Sequence, residues 1–282
     1  MKFIDDSRIP DQPYPELRGV LEAFATELST ELADNLVGIY MIGSLAVGDF
    51  DADSDVDFLV VTKTEISEPT PKRLQAIQEK IHAMGCYPAQ HLEGSFISLA
   101  DLNDPLIVGQ KELYYFDNGW TDIEKSVHDN QWHVRWILRE RGVTLIGPNP
   151  IDLVSEVPSE ELRCEMKKGM LERMLEFEPC LDQPRCYSNS RFGQPHIVLT
   201  FCRMLQTLRT GRVESKKSAA AWAKGVVDPR WFKVIEEALT EREGVRFMLK
   251  IKQRAEQSVL EETLVFLKYM VVESGKTMDP IK

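Results

Sequence analysis

Apolar residues recur at helical spacing between Pro15 and Asn35, where Leu17, Leu21, Phe24, Leu28 and Leu32 fall on one stripe, so this segment is predicted to be an amphipathic helix. The next apolar run, Val37–Ile42, is short and bounded by Gly38 and Gly43, the pattern of a buried strand. From Gly43 to Ser54 the chain turns to Gly, Asp and Ser, which predicts a loop with a helical turn opening at Ser44. Asp55–Thr62 reads as a second strand, Pro71–Met84 as a helix and Leu92–Leu99 as a third strand. Beyond Lys125 the periodicity is helical: Val127–Arg141, Ser159–Phe177, Pro195–Leu208, Lys216–Lys224, Pro229–Thr240 and a long closing helix from Val245 to Glu273. Gly142–Pro150 is a turn-rich link and Pro179–Gln194 is irregular. The expected fold is α+β: a small mixed sheet flanked by helices over residues 1–150, then an all-helical bundle over 151–282.

Composition narrows the classes of function. A chain of 282 residues can bury the cores of two modest domains. Its net charge of -11 repels nucleic acid, and no basic stripe interleaved with aromatics offsets that, so a nucleic-acid partner is not expected. No apolar run is long enough to span a bilayer; Leu264–Val272 is short and broken by Lys268. The polar, acidic start, Met1–Asp11, resembles no targeting peptide, so the expected compartment is the cytoplasm. Five cysteines, an odd number with no C-x-x-C spacing, predict neither a disulfide framework nor a structural zinc site. The pattern leaves the oligomeric state open.

The chemistry concentrates in Gly38–Thr62. Asp55 and Asp57 open the second predicted strand two residues apart, and side chains at i and i+2 of a strand share a face. Two adjacent carboxylates are costly without a cation, and hard oxygen ligands that leave room for substrate phosphates suit magnesium. Gly43 allows close approach of the backbone, and Ser44 with nearby N–H groups can hold phosphate oxygens. Glu93, near the start of the third predicted strand, faces the same place if the two strands are neighbours; it then serves as a general base or a further metal ligand. A calcium loop is the rival for Asp49, Asp51, Asp53 and Asp55. It requires Gly at the sixth position and Glu at the twelfth; the two registers place Ser54 and Val60, or Val56 and Thr62, there, so both fail.

In order and spacing, Gly43-Ser44, Asp55, Asp57 and Glu93 resemble the DNA-polymerase-β-like nucleotidyltransferase superfamily. Within it the chain is similar to the streptomycin/spectinomycin type of aminoglycoside adenylyltransferase. That likeness is carried by Glu140–Pro148, by Leu199-Thr200-Phe201-Cys202-Arg203, by Thr210–Lys216, and by Ala219–Ala223 with Trp222. The resemblance implies a nucleotidyltransferase-like first domain, a helical domain closing a cleft, ATP as substrate, two magnesium ions and a small hydroxylated acceptor. It implies that Asp55 and Asp57, with Glu93, surround the metals, that Glu93 is the base, and that Ser44 and Ser54 contact phosphates. Arg203 and Lys216 match positions that reach the triphosphate, a bidentate and a point contact respectively. An aromatic contact to the acceptor is implied near Trp120.

The chain departs from that pattern around its acceptor. Asn189 and Gly193 stand where drug-modifying members carry acids, within a Ser188–Gln194 segment that brings Arg191 instead, and Lys217 stands where an acid is expected. Two other readings therefore stay open: transfer to a different metabolite or a protein side chain, and a catalytically silent nucleotide-binding regulator.

Overall fold

The computed structural model describes residues 8–118, 122–243 and 247–276, and the chain divides into two compact units, Met1–Val157 and Pro158–Lys282. Trp120 and Val245 lie outside the described residues.

In the first unit the leucine stripe folds as α1 (Leu17–Leu32), burying Leu17, Val20, Leu21, Phe24, Leu28 and Leu32. There follow β1 (Leu36–Met41), α2 (Gly43–Ala46), β2 (Val56–Thr62), α3 (Thr70–His82), α4 (Tyr87–Gln90), β3 (Leu92–Ser98) and α5 (Leu99–Leu102). The unit continues through β4 (Leu113–Phe116), β5 (Glu124–Ser126), α6 (Trp132–Arg141), β6 (Val143–Ile146) and α7 (Pro150–Leu153). The strands form one six-stranded sheet in the order β5-β4-β3-β2-β1-β6. β2 and β3 pair in parallel and every other pair is antiparallel. A parallel pair needs a crossover, which α3 and α4 supply.

Alternation along the strands sends Val56, Phe58, Val60, Leu92, Phe96 and Phe116 into one core with the apolar faces of α1 and α3. Phe58 is its hub. Its ring lies 4.8 Å from Phe24 and 5.9 Å from each of Phe96 and Phe116, and it is fully buried. Phe58→Ala should therefore destabilise the unit by about 3–5 kcal/mol, read as a fall in the denaturant midpoint. An unchanged midpoint would mean that the ring is not part of a packed core.

Three of these strands lie outside the sequence expectation. β6 is a four-residue edge inside what reads as the Gly142–Pro150 link, and β5 is a polar edge, Glu-Lys-Ser, with no hydrophobic pattern to reveal it. β4 is too short to show a period. The second predicted strand begins at Val56, so Asp55 stands one residue ahead of the ladder.

The second unit holds α8 (Ser159–Phe177), α9 (Gly193–Thr210), α10 (Lys216–Ala223), α11 (Phe232–Arg242), α12 (Phe247–Lys250) and α13 (Gln257–Ser274). α9 is buried around most of its circumference because α8, α10, α11 and α13 all pack on it. It ends at Gly211 in the left-handed conformation (φ 68°), and α10 starts on Ser215, whose hydroxyl accepts from Ser218 N. The closing helix predicted from Val245 is broken: α12 ends at Lys250 and α13 starts at Gln257. The intervening backbone bonds elsewhere, with Arg191 N donating to Gln253 O (2.7 Å) and Ala255 N to Asn189 O (2.9 Å). No disulfide framework is expected, but a single bridge forms. Cys180 and Cys186 are bonded, their Cα atoms 5.7 Å apart within the irregular segment, while Cys86, Cys164 and Cys202 are free thiols.

Candidate active site

The parallel register of β2 and β3 sets Asp57 directly beside Glu93. Neighbouring residues in register project from the same face of a sheet, so the two acids share one end of that face. Both are half-buried, as is Asp55. β1 feeds into α2 alongside: Ile42 N donates to Asp57 O at 3.0 Å, fastening the start of the Gly43-Ser44 turn to the strand that carries the aspartate.

Gly43 makes this closeness possible. Its φ is +57°, and a Cβ there would lie 1.8 Å from Asp57 Oδ2. No side chain fits between the turn and the carboxylate. Beside it, the Ser44 hydroxyl is buried with no hydrogen-bond partner. A buried hydroxyl left unsatisfied is costly, and at a functional site it marks a place where a ligand supplies the missing partner. Ser54 is placed differently. Its hydroxyl donates to Asp51 Oδ1 (2.8 Å) and accepts from Asp51 N (3.0 Å), so it closes the turn of the acidic loop.

Glu93 is enclosed by residues that sequence reading misses. Tyr115 OH donates to its Oε1 at 2.5 Å, Asn118 Nδ2 donates to its Oε2 at 3.1 Å, and His128 Nε2 is 3.3 Å from Oε1. Burial raises its pKa above the ordinary carboxylate value, against the opposing pull of the Tyr115 bond and His128; Asp129 and Asp117 add to the rise. Behind it Asp129 accepts from Ser95 Oγ (2.7 Å), and its own pKa is raised by burial. The only advance signal for Tyr115 is the aromatic run in β4, a strand that the sequence pattern does not reveal.

Among the described residues no group of three His, Cys, Asp or Glu side chains is gathered ready to grip a metal ion. Glu93 accounts for part of this, since its oxygens are occupied by Tyr115, Asn118 and His128. The donor set nevertheless fits magnesium: hard carboxylates in register, next to an orphaned hydroxyl suited to phosphate.

In the second unit Arg203 and Lys216 come together around His196. Lys216 Nζ donates to His196 Nδ1 at 3.3 Å, and Arg203 lies two turns along α9 from the histidine. Lys216, burial, Arg203, Arg173 and Arg242 drive the His196 pKa well below its usual value, so the ring stays neutral in a cationic setting. His196 and Lys216 also line a small cavity with Arg191, Phe192 and Arg242.

Residues 21–102 match a nucleotidyltransferase domain, and residues 152–271 match the C-terminal domain of aminoglycoside adenylyltransferases. The chain is a nucleotidyltransferase, similar in both parts to the aminoglycoside adenylyltransferases. Spectinomycin 9-adenylyltransferase from Staphylococcus aureus is 26% identical over 234 residues, covering 79% of this chain and 81% of the relative. Aminoglycoside (3'') (9) adenylyltransferase from Shigella flexneri is 23% identical over 274 residues, covering 88% and 96%. Among solved structures, that of a spectinomycin adenyltransferase from Enterococcus faecialis with ATP and spectinomycin superposes with a TM-score of 0.65. It covers 92% of this chain and 99% of that one at 16% identity, a likeness of fold. Among the described residues no helix is long and apolar enough to cross a membrane.

The fold accounts for the departures from the pattern of those relatives. Asn189 is buried, and its Nδ2 donates to the carbonyls of Cys180 and Gln183, both at 2.7 Å, so it ties down the disulfide loop. A Cβ on Gly193 would stand 2.0 Å from Tyr187 O, which leaves no room for an aspartate. Arg191 bonds Glu241 Oε1 (2.8 Å) and Gln253 Oε1 (2.9 Å). The acids expected at positions 189 and 193 are thus replaced by residues that build the loop itself.

Proposed function

We propose that this enzyme transfers AMP from ATP to a hydroxyl group of a small molecule, with magnesium held by Asp55 and Asp57 and the acceptor proton taken by Glu93. The observation that carries the reading is the register that sets Glu93 beside Asp57, next to the unpartnered hydroxyl of Ser44. Gly43 and Ser44 receive phosphate oxygens, and the guanidinium of Arg203 and the ammonium of Lys216 have the chemistry of phosphate contacts. Ser54 serves this site by shaping the acidic loop, since a phosphate contact would compete with its bond to Asp51. When bound, magnesium neutralises the charge that builds on the phosphates and lines up the attacking and leaving oxygens.

The acceptor oxygen forms its bond to the α-phosphorus as the bond to pyrophosphate breaks, and the proton passes to the Glu93 carboxylate. A raised pKa suits that role, because a stronger base takes a hydroxyl proton more readily. Tyr115 and Asn118 hold the carboxylate in place for it. Spectinomycin and aminoglycosides are the first acceptors to test, because relatives matched over most of their length are named for them. ATP as substrate also fits a cytoplasmic protein.

The test incubates the purified chain with labelled ATP, magnesium and a panel containing spectinomycin, streptomycin, other aminoglycosides and hydroxylated metabolites. Label should move to one acceptor with release of pyrophosphate. Glu93→Gln should lower kcat by about 10²-fold while the ATP dissociation constant stays within about threefold. ATP binding without pyrophosphate release for any acceptor would instead make the protein a silent regulator; label in the protein fraction would identify a side-chain acceptor.

A further inference from the structure

The loop that brings Asp55 to the sheet is gripped by three stacked rings. Tyr14 lies face to face with Tyr87, with centroids 4.7 Å apart and planes 7° from parallel. Tyr87 lies in turn on His91 at 3.7 Å and 14°. Of the two outer residues, Tyr14 reaches the loop with its side chain and His91 through its backbone carbonyl. Tyr14 OH donates to Ala52 O at 2.6 Å, and its ring meets Phe50 edge-on at 6.3 Å. At the other end of the stack, His91 O accepts from Val56 N at 2.8 Å, while His91 Nδ1 is held 2.9 Å from Tyr87 O.

The loop is thereby fixed at Ala52 and at Val56, and between these points Ser54 is tied to Asp51. Asp55 is the residue enclosed by these ties. The three rings are half-buried rather than embedded in the core, so they brace the surface segment beside the site. A carboxylate that must meet a cation has to be held within about 0.5 Å, and a loop rich in Asp and Ser does not achieve that unaided.

We propose that Tyr14, Tyr87 and His91 are positioning residues for Asp55, a stack that fixes the acidic loop so that its carboxylate meets the metal together with Asp57. The inference rests on the reading of Asp55 and Asp57 as metal ligands.

Manganese titration of the full chain, followed by the paramagnetic resonance of free Mn²⁺, tests it without turnover. Tyr87→Leu removes the central ring and should weaken Mn²⁺ binding by about 10-fold, as loss of a residue supporting a ligand typically does. Its kcat should fall by a similar factor with the KM for ATP within about twofold, because the loss falls on metal placement rather than on nucleotide binding. Tyr87→Phe keeps the ring and should restore both. Tyr14→Phe removes only the oxygen that holds Ala52 and should cost about threefold in metal affinity, decisive even if Tyr87→Leu folds poorly. Wild-type Mn²⁺ affinity in Tyr87→Leu or Tyr14→Phe, alongside lost binding in Asp57→Asn, would overturn the positioning role alone. Wild-type Mn²⁺ affinity in Asp57→Asn would remove the metal reading and the stack's role with it.

Discussion

Asp57→Asn should fold normally and release pyrophosphate at less than about one-thousandth of the wild-type rate, a loss typical of removing a group that stabilises transition-state charge. The side chain keeps its shape and loses one negative charge. Its backbone bonds do not involve that charge: Ile42 N still donates to the residue-57 carbonyl, and the β2–β3 register persists. The side chain is half-buried beside Gly43 and outside the phenylalanine core, so the melting temperature should change little. Circular dichroism establishes the fold, and a coupled pyrophosphate assay with the best acceptor measures the rate. Ordinary turnover by the folded variant would sink the proposed chemistry, since a neutral amide cannot replace the carboxylate as a hard anionic ligand.

How much of this site can be seen in the sequence depends on the kind of information each part carries. Asp57 and the Gly-Ser turn are legible because a strand opening on an acid and a glycine before a polar loop are local patterns, whereas the shared face expected of Asp55 and Asp57 is not formed by the strand, since Asp55 precedes it. Glu93 is legible only conditionally, as its worth depends on β3 lying next to β2, and pairing between strands separated by a helix is not written in periodicity. Tyr115, Asn118 and His128 are invisible for a stronger reason. They converge on Glu93 from β4 and the segments around β5, short edge elements whose pattern is polar or too brief to register.

The helical unit shows the same division. Ser159–Phe177 matches its predicted bounds residue for residue, because a long element with a clear start needs no tertiary information. The closing helix fails where its backbone finds other partners, at Asn189 and Arg191. The disulfide escapes notice because counting and spacing of cysteines favour frameworks, whereas one bridge across six positions depends on how the loop folds. The departures at Asn189 and Gly193 are visible as letters. Their meaning is not, since it takes the loop to show that one is a structural tie and that the other has no space for a side chain.

Gly43→Ala should abolish activity nearly as completely as Asp57→Asn, although position 43 carries no reactive group. Two costs meet there. At φ +57° an alanine is strained by about 1–2 kcal/mol, a loss the fold should survive. The new methyl would stand 1.8 Å from Asp57 Oδ2, 2.4 Å from its Cγ and 2.8 Å from its Cβ, so the carboxylate must swing away and the turn must draw back from β2. The expected result is a folded protein, its melting temperature lower by a few degrees, with Mn²⁺ binding lost and turnover reduced by about 10²- to 10³-fold. Gly48→Ala separates the two costs. Gly48 has φ +76°, and an alanine methyl there would meet nothing within 4 Å, so this variant carries the backbone strain without displacing the aspartate. It should melt lower by a similar amount and turn over at close to the wild-type rate. If Gly43→Ala and Gly48→Ala lose activity equally, the loss comes from the backbone of the loop, and the tight fit between Gly43 and Asp57 has no part in holding the metal ligand in place.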